Sequence, residues 1–462
     1  MKKVLALVLL ALPPRLFATT FFSGETGAAA IFSNGARDFA PALNLEGFLT
    51  GQFAFSNFFS VRGEFSLHTN DMNENGLTKE VENTVFQINE ISGTLTRSFL
   101  GGTHSFSLFN GHFETIGSQQ FISRHLGVKN YSSRFCENYR GQIGSIIYPV
   151  YGIGGLYSYT FKDRPISAGL GVSKIKQNLG DTEDFPQINI DLRLAIAYRL
   201  VKMDFLFGIG APLKTKTTTK IETKSEDDGD ENEDVYDEKT ESGTNETEQD
   251  VFLLIDTLYF HTGIDLLLGE SNSFFSLYIQ YGLEYFPLKD TENAKYPGSK
   301  EIHLLVEPRF NFGALKFHIT AFSFPSKSVE VTNNEKEIKE QLKYADKLLL
   351  LDEKETLGAN ISIFADNLYA KSRKYGFGFN IMGAFEEKHF NDVKDNDFID
   401  SLKFKVCPFV EFEANGGKLK LMLQANVSNI IKNDTGSESE TENSNNSKNN
   451  PIKFHIGYKR VL

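Results

Sequence analysis

The chain has 462 residues, a formal net charge of −12, 42 Phe, 17 Tyr, 38 Gly and no Trp. A nucleic-acid binder would carry a basic patch, and none is evident. With only Cys136 and Cys407 there is no disulfide framework and no cysteine-based metal motif.

Aromatic residues and Gly are poor helix formers, so this composition favours strands. A mean hydropathy of −0.28 is compatible with a membrane barrel, because only every second strand residue there faces lipid. The two cysteines leave both a pair and two separate thiols open.

The N-terminus reads as a secretory signal over residues 1–18. Lys2 and Lys3 precede an apolar run from Val4 to Leu12, then Pro13 and Pro14, with a cleavage site after Ala18. A helix that spans a bilayer takes about 20 apolar residues, so this run is too short to be an anchor. No run of that length follows Thr19, and the mature chain, 19–462, is expected to be one barrel domain.

Strand patterns with period two then recur along the chain. Leu43, Leu45, Leu49, Phe53 and Phe55 alternate with Asn44, Glu46, Thr50 and Gln52. Phe59, Val61, Phe65 and Leu67 are opposed by Arg62 and Glu64. Ile188 to Leu200 sets Ile190, Leu192 and Leu194 against Asn189, Asp191, Arg193 and Arg199. Ile302, Leu304 and Val306 stand against His303, Glu307 and Arg309. Leu402, Phe404, Val406 and Val410 stand against Lys403, Lys405, Glu411 and Glu413, and Leu419, Leu421 and Leu423 against Lys418, Lys420 and Gln424. Each pattern runs well past the roughly 5–6 residues of a soluble strand and reaches the roughly 9–11 that cross a bilayer. That length weighs against a soluble periplasmic sandwich.

Eighteen such segments occur, and closure as an outer-membrane barrel calls for an even number, about 14–18. The fold class is therefore all-β, a transmembrane antiparallel up-and-down β-barrel. Tyr and Phe near strand ends, such as Tyr157 and Tyr159 or Tyr285 and Phe286, suit aromatic girdles; ordinary β-propensity explains them as well.

Short links alternate with long ones, as periplasmic turns do with extracellular loops. Lys214 to Asp250 holds 14 Asp/Glu and 5 Lys and is expected to be a disordered acidic loop. It is not a calcium loop: counted from Asp228, the sixth residue is Glu233, where an EF-hand needs Gly. Residues 432–450 form a second polar loop. The loop charge predicts a weak cation preference at low salt. Gly117 to Arg140 is irregular, and Asn334 to Asp352 has helical spacing; each fits either a constriction inside the barrel or a segment outside it.

No G-x-S-x-G, H-E-x-x-H or P-loop motif occurs, so neither an enzyme nor a cofactor is expected. The lumen-lining candidates are Arg62, Glu64, Asp191, Arg193, Arg199, His303, Glu307, Arg309, Lys403, Lys405, Lys418 and Lys420. In a water-filled lumen they would set ion preference; in a plugged barrel they would pair with one another.

Phe48 to Ser56, Phe161 to Ile166, Gly208 to Leu213 and Leu253 to Phe260 resemble strand and turn phrases of a spirochaete, especially treponemal, group of predicted outer-membrane barrels. The resemblance implies an outer-membrane location and a porin-like barrel. The expected partners are outer-membrane lipid, the barrel-assembly machinery and small solutes. The expected function is a diffusion channel, with a surface adhesin or ligand-binding barrel of blocked lumen as the alternative.

Overall fold

The computed structural model describes residues 21–34, 41–69, 84–138, 144–147, 151–177, 185–220, 246–253, 258–286, 299–325, 348–352, 355–370, 373–386, 402–428 and 452–462. The signal segment and residues 432–450 lie outside them. The strands are β1 (Phe21–Asn34), β2 (Pro41–Ser56), β3 (Phe59–Thr69), β4 (Thr84–Phe99), β5 (Gly102–Gly111), β6 (Gly152–Phe161), β7 (Ile166–Gln177), β8 (Phe185–Ala197) and β9 (Val201–Lys220). They continue as β10 (Glu246–Leu253), β11 (Tyr259–Leu268), β12 (Phe275–Phe286), β13 (Ser299–Phe312), β14 (Leu315–Ser323) and β15 (Glu355–Ala370). The last are β16 (Arg373–Glu386), β17 (Leu402–Ala414), β18 (Gly417–Asn426) and β19 (Ile452–Val461).

Every pairing is antiparallel between neighbours, and β1 pairs with both β2 and β19, which closes the sheet. Both β10 and β11 pair with β9: β10 runs beside residues 213–220 and β11 beside 201–210. They are two halves of one strand position, so the wall is an 18-stranded barrel. A closed barrel leaves no edge unpaired, which is what a hydrocarbon solvent demands of a sheet.

The connections obey the barrel rule for loop lengths. One end carries short links, among them 57–58, 100–101, 313–314 and 415–416; at the other end lie the long ones, 70–83, 112–151, 221–245, 324–354 and 427–451. The short end is the periplasmic one. Its turns use positive φ in succession, Leu100 (48°) with Gly101 (76°) and Asn415 (49°) with Gly416 (75°), the geometry of hairpin turns that match strand twist.

Period two sorts the faces. Leu95, Leu108, Leu170, Leu192, Phe377 and Val410 point outward and stay about half exposed. Such a continuous apolar girdle is far larger than the patches a soluble monomer tolerates. Near the short turns it is edged by aromatic clusters: Phe22 to Phe53 (4.7 Å), Phe55 to Phe59 (5.7 Å), Tyr159 to Phe161 (4.7 Å) and Phe274 to Phe312 (5.2 Å). Apolar belt, aromatic edge and closed sheet together make this an outer-membrane barrel.

One sequence expectation needs correction. Residues 214–220 and 246–250, expected to be disordered, are strand, and the register sets residue 220 opposite 246 and residue 216 opposite 250. Residues 221–245 lie outside the described residues. The helical spacing of 334–352 lies mostly outside the described residues; its last part, Leu348–Asp352, forms a bridge and a turn.

Candidate functional site: a lumen closed by two inward folds

A barrel of 16–18 strands is wider than its own side chains fill. Here two connections fold into it. The first, between β5 and β6, contains a short helix α1 (Gln120–Leu126) and a 3-10 turn at Arg134–Cys136. The second is Leu348–Asp352, from the connection between β14 and β15. Their apolar residues Phe121, Ile122, Phe135, Ile146, Leu348 and Leu349 are at most 2% exposed. They pack in one cluster with wall residues that point inward, such as Leu206, Leu305, Phe322, Met382 and Met422.

Polar anchors surround this cluster. On one side Arg124 of α1 reaches Glu90 at 2.7 Å and Glu114 at 3.4 Å, and His125 lies 3.4 Å from Glu114. Burial alone would raise the Glu114 carboxyl; His125, Arg124 and Arg193 outweigh it and bring it down to about 2. Both Glu114 (φ 48°) and Gln119 (φ 61°) hold the left-handed region without being Gly, a strain that the surrounding contacts must hold in place. The Gln119 amide donates to Asp265 at 3.2 Å and accepts from the Tyr131 backbone N–H at 2.8 Å, so one side chain ties wall to loop.

Farther along, Ser133 donates to Glu307, and Arg309 donates to Glu307 and to the Tyr131 carbonyl at 2.7 and 2.8 Å. His303 Nδ1 donates to the Ile146 carbonyl at 2.6 Å. The second fold is held by Lys405, which lies 2.5 Å from Asp352 and 2.6 Å from Glu355, and by Lys453 on Asp352. Burial would raise the Asp352 carboxyl, but the two lysines hold it far below the ordinary range.

Of the twelve lumen candidates, the structure brings most into this network. Arg62 lies 3.5 Å from both Glu64 and Glu90. Asp191 meets His261 at 2.7 Å, and Arg193 forks onto Asp204 at 2.8 and 2.9 Å. Lys418 reaches Glu411 and Lys420 reaches Glu137, each at 2.5 Å. Lys403 is half-buried on the same face as Lys405. Arg199 is the correction: it follows the end of β8 in a short turn, its side chain is 84% exposed, and it pairs with Glu270 at the periplasmic surface. The alternation in the sequence continues three residues beyond Ala197, where β8 ends.

Sequence reasoning missed the partners supplied by the first fold, Glu114, Arg124, Arg134 and Glu137. They sit in an irregular segment, where no period marks which way a side chain points. Cys136 and Cys407 are separate, buried thiols.

Below the folds, on the periplasmic side, lies a cavity of about 840 Å³ lined by Arg134, Glu137, Glu411, Lys418, Lys420 and His455 among others. No helix among the described residues is long and apolar enough to cross a membrane. No group of His, Cys, Asp and Glu among them has the arrangement of a metal site.

No family model matches the sequence, and no curated protein does. Among solved structures the chain is similar to a BenF-like porin from Pseudomonas fluorescens Pf-5, at 8% identity, 97% of this chain, 99% of that one and a TM-score of 0.48. It is similar to OccK2 (OpdF) of Pseudomonas aeruginosa at 8% identity, 96% and 97% coverage and a TM-score of 0.47. It is also similar to Wzi of Escherichia coli, described as a carbohydrate-binding β-barrel of capsule assembly, at 10% identity, 99% and 87% coverage and a TM-score of 0.41. The assignment of the chain as an 18-stranded outer-membrane barrel rests on its own strand pairing and lipid-facing belt.

Proposed function

We propose that the protein is a porin-like channel of narrow bore that passes small solutes across the outer membrane. One observation carries this reading. The barrel is wide enough for an aqueous lumen, and what narrows it is two chain segments packed on inward-pointing residues of the wall, not the wall alone. The inner face of the wall is polar even where it is buried, at Ser92, Ser107, Asn189, Ser276, Thr320 and Asn380. A cavity rises from the periplasmic mouth to the underside of the folds. The partners on this reading are lipid, the barrel-assembly machinery during insertion, and the solutes. No catalytic step is part of it.

A second reading, a surface-binding barrel with a blocked lumen, is favoured by the ion pairs that consume the inward charges. Planar-bilayer recording of the purified protein separates the two. Discrete conductance steps support the channel. Stable insertion without current supports the blocked barrel.

A further inference from the structure

Glu411 of β17 is almost fully buried, yet three cations converge on it. Its Oε2 lies 2.7 Å from Arg134 Nη2 and 2.5 Å from Lys418 Nζ, and its Oε1 lies 3.8 Å from Lys420 Nζ. Lys420 also holds Glu137 at 2.5 Å. Three cations therefore face two carboxylates, an excess of one positive charge at the inner end of the periplasmic cavity. The whole lining repeats the imbalance, with six Lys and Arg against four Asp and Glu.

The cluster is held in position. The Arg134 guanidinium lies 4.4 Å over the Phe364 ring and 5.0 Å over that of Phe409, with Lys420 5.4 Å over Phe409. Stacking of this kind fixes where a guanidinium points. Arg134 lines the cavity, and its buried Nη1 has no hydrogen-bond partner in the protein. Lys418 is 54% exposed and has N–H groups left over after Glu411 takes one. Because Arg134 and Lys418 both reach the same carboxylate oxygen, they are near enough to share one further oxyanion. The volume of about 840 Å³ is that of a small-molecule site.

We propose that this cavity is an anion subsite, in which a small carboxylate or phosphate group is held by Lys418 and Arg134 beneath the inward folds. It deepens the channel reading and rests on it for its role: the subsite would favour anionic solutes passing the narrow part of the lumen. It also opposes the weak cation preference expected from the acidic loops, because a charge within hydrogen-bond distance outweighs loop charges that salt screens beyond about 8 Å. Charge-assisted contacts of this type are the strong class of hydrogen bond.

The test is calorimetric titration of the full barrel in neutral detergent at low salt, with benzoate, with inorganic phosphate and with neutral benzamide. Benzoate or phosphate should bind and benzamide should not; which anion wins distinguishes an organic from an inorganic source. Lys418→Gln should weaken binding at least tenfold while the barrel keeps its heat-resistant migration in detergent. Lys418→Arg should restore most of it. Binding of benzamide as tight as benzoate, absence of binding by both anions, or an unchanged affinity in Lys418→Gln would each overturn the subsite. Anion binding that depends on Lys418 in a protein without conductance would keep the subsite and remove the channel. Conductance without anion binding would do the reverse.

Discussion

Asn138 and Leu348 face each other in an isolated antiparallel bridge, and beside it the Leu349 N–H donates to the Glu137 carbonyl at 2.8 Å. The two inward folds come from different connections, yet this bridge makes their backbones one layer across the lumen. Facing residues of an antiparallel bridge lie within the Cα range a disulfide spans. Asn138→Cys with Leu348→Cys should therefore cross-link under mild oxidation, seen as a mobility shift in non-reducing gels. If the folds move as one body, single-channel current will be the same before and after reduction. A current that rises on reduction would show that they part from each other.

The lipid belt sets a second expectation. Leu192 is half exposed on the outer face, while Asn189 is fully buried. Leu192→Arg near the bilayer midplane should cost about 2–4 kcal/mol in unfolding from lipid. Asn189→Ala should cost about 1 kcal/mol, the scale of one net hydrogen bond. Equal costs at the two positions would contradict the register. An Arg at Asn189 should cost more than the Ala, because the position is fully buried and has no room for a longer charged side chain.

Lys405 is 0% exposed between Asp352 and Glu355. Lys405→Met would strand Glu355 in the interior and leave Asp352 to Lys453 alone, and breaking a buried pair costs about 3–5 kcal/mol. Because Asp352 belongs to the inward fold, the loss should appear as release of Leu348–Asp352. Faster cleavage at this segment by added protease, with the barrel still heat-resistant, is the expected result. Cleavage at the wild-type rate would mean that the apolar cluster alone holds the fold.

Acid should loosen the first fold. The Glu114 carboxyl is lowered to about 2 from an ordinary 4.5. A depressed carboxylate contributes stability that is complete above its unfolded value and lost as pH falls through its folded one. The Arg124 anchor on the Glu114 carboxylate is therefore intact above pH 4.5 and fades toward pH 2. Hydrogen exchange of residues 114–126 should speed up between those limits, and Glu114→Gln should abolish the dependence.

Eighteen strand positions were legible because lipid outside and polar groups inside impose period two over long stretches, as in Ile188 to Ala197 or Leu402 to Ala414. Even the broken β10–β11 position reads as one segment in sequence. The filling of the lumen was not legible. Leu305, Phe322, Met382 and Phe409 interrupt the polar face because loops pack on them, and sequence alone does not say which loop comes inside. Partners such as Arg134 and Glu411, or Lys420 and Glu137, lie hundreds of residues apart, and no local spacing connects them. Arg199 shows the opposite failure, a period that outlasts its strand.

The acidic insert offers a simpler check. Residues 221–245 connect β9 to β10, and loop length weighs little on closure entropy. Replacing them with a two-residue hairpin turn should leave refolding yield and heat resistance in detergent unchanged. Loss of the folded form would assign the insert a role in assembly.

The most direct measurement is single-channel conductance of the native protein beside a variant in which residues 117–145 are replaced by a short Gly-Ser linker. A channel whose bore is set by the inward folds should give small steps in the native protein and steps several-fold larger in the variant. The same small conductance in both, or no current in either despite stable insertion, would contradict it.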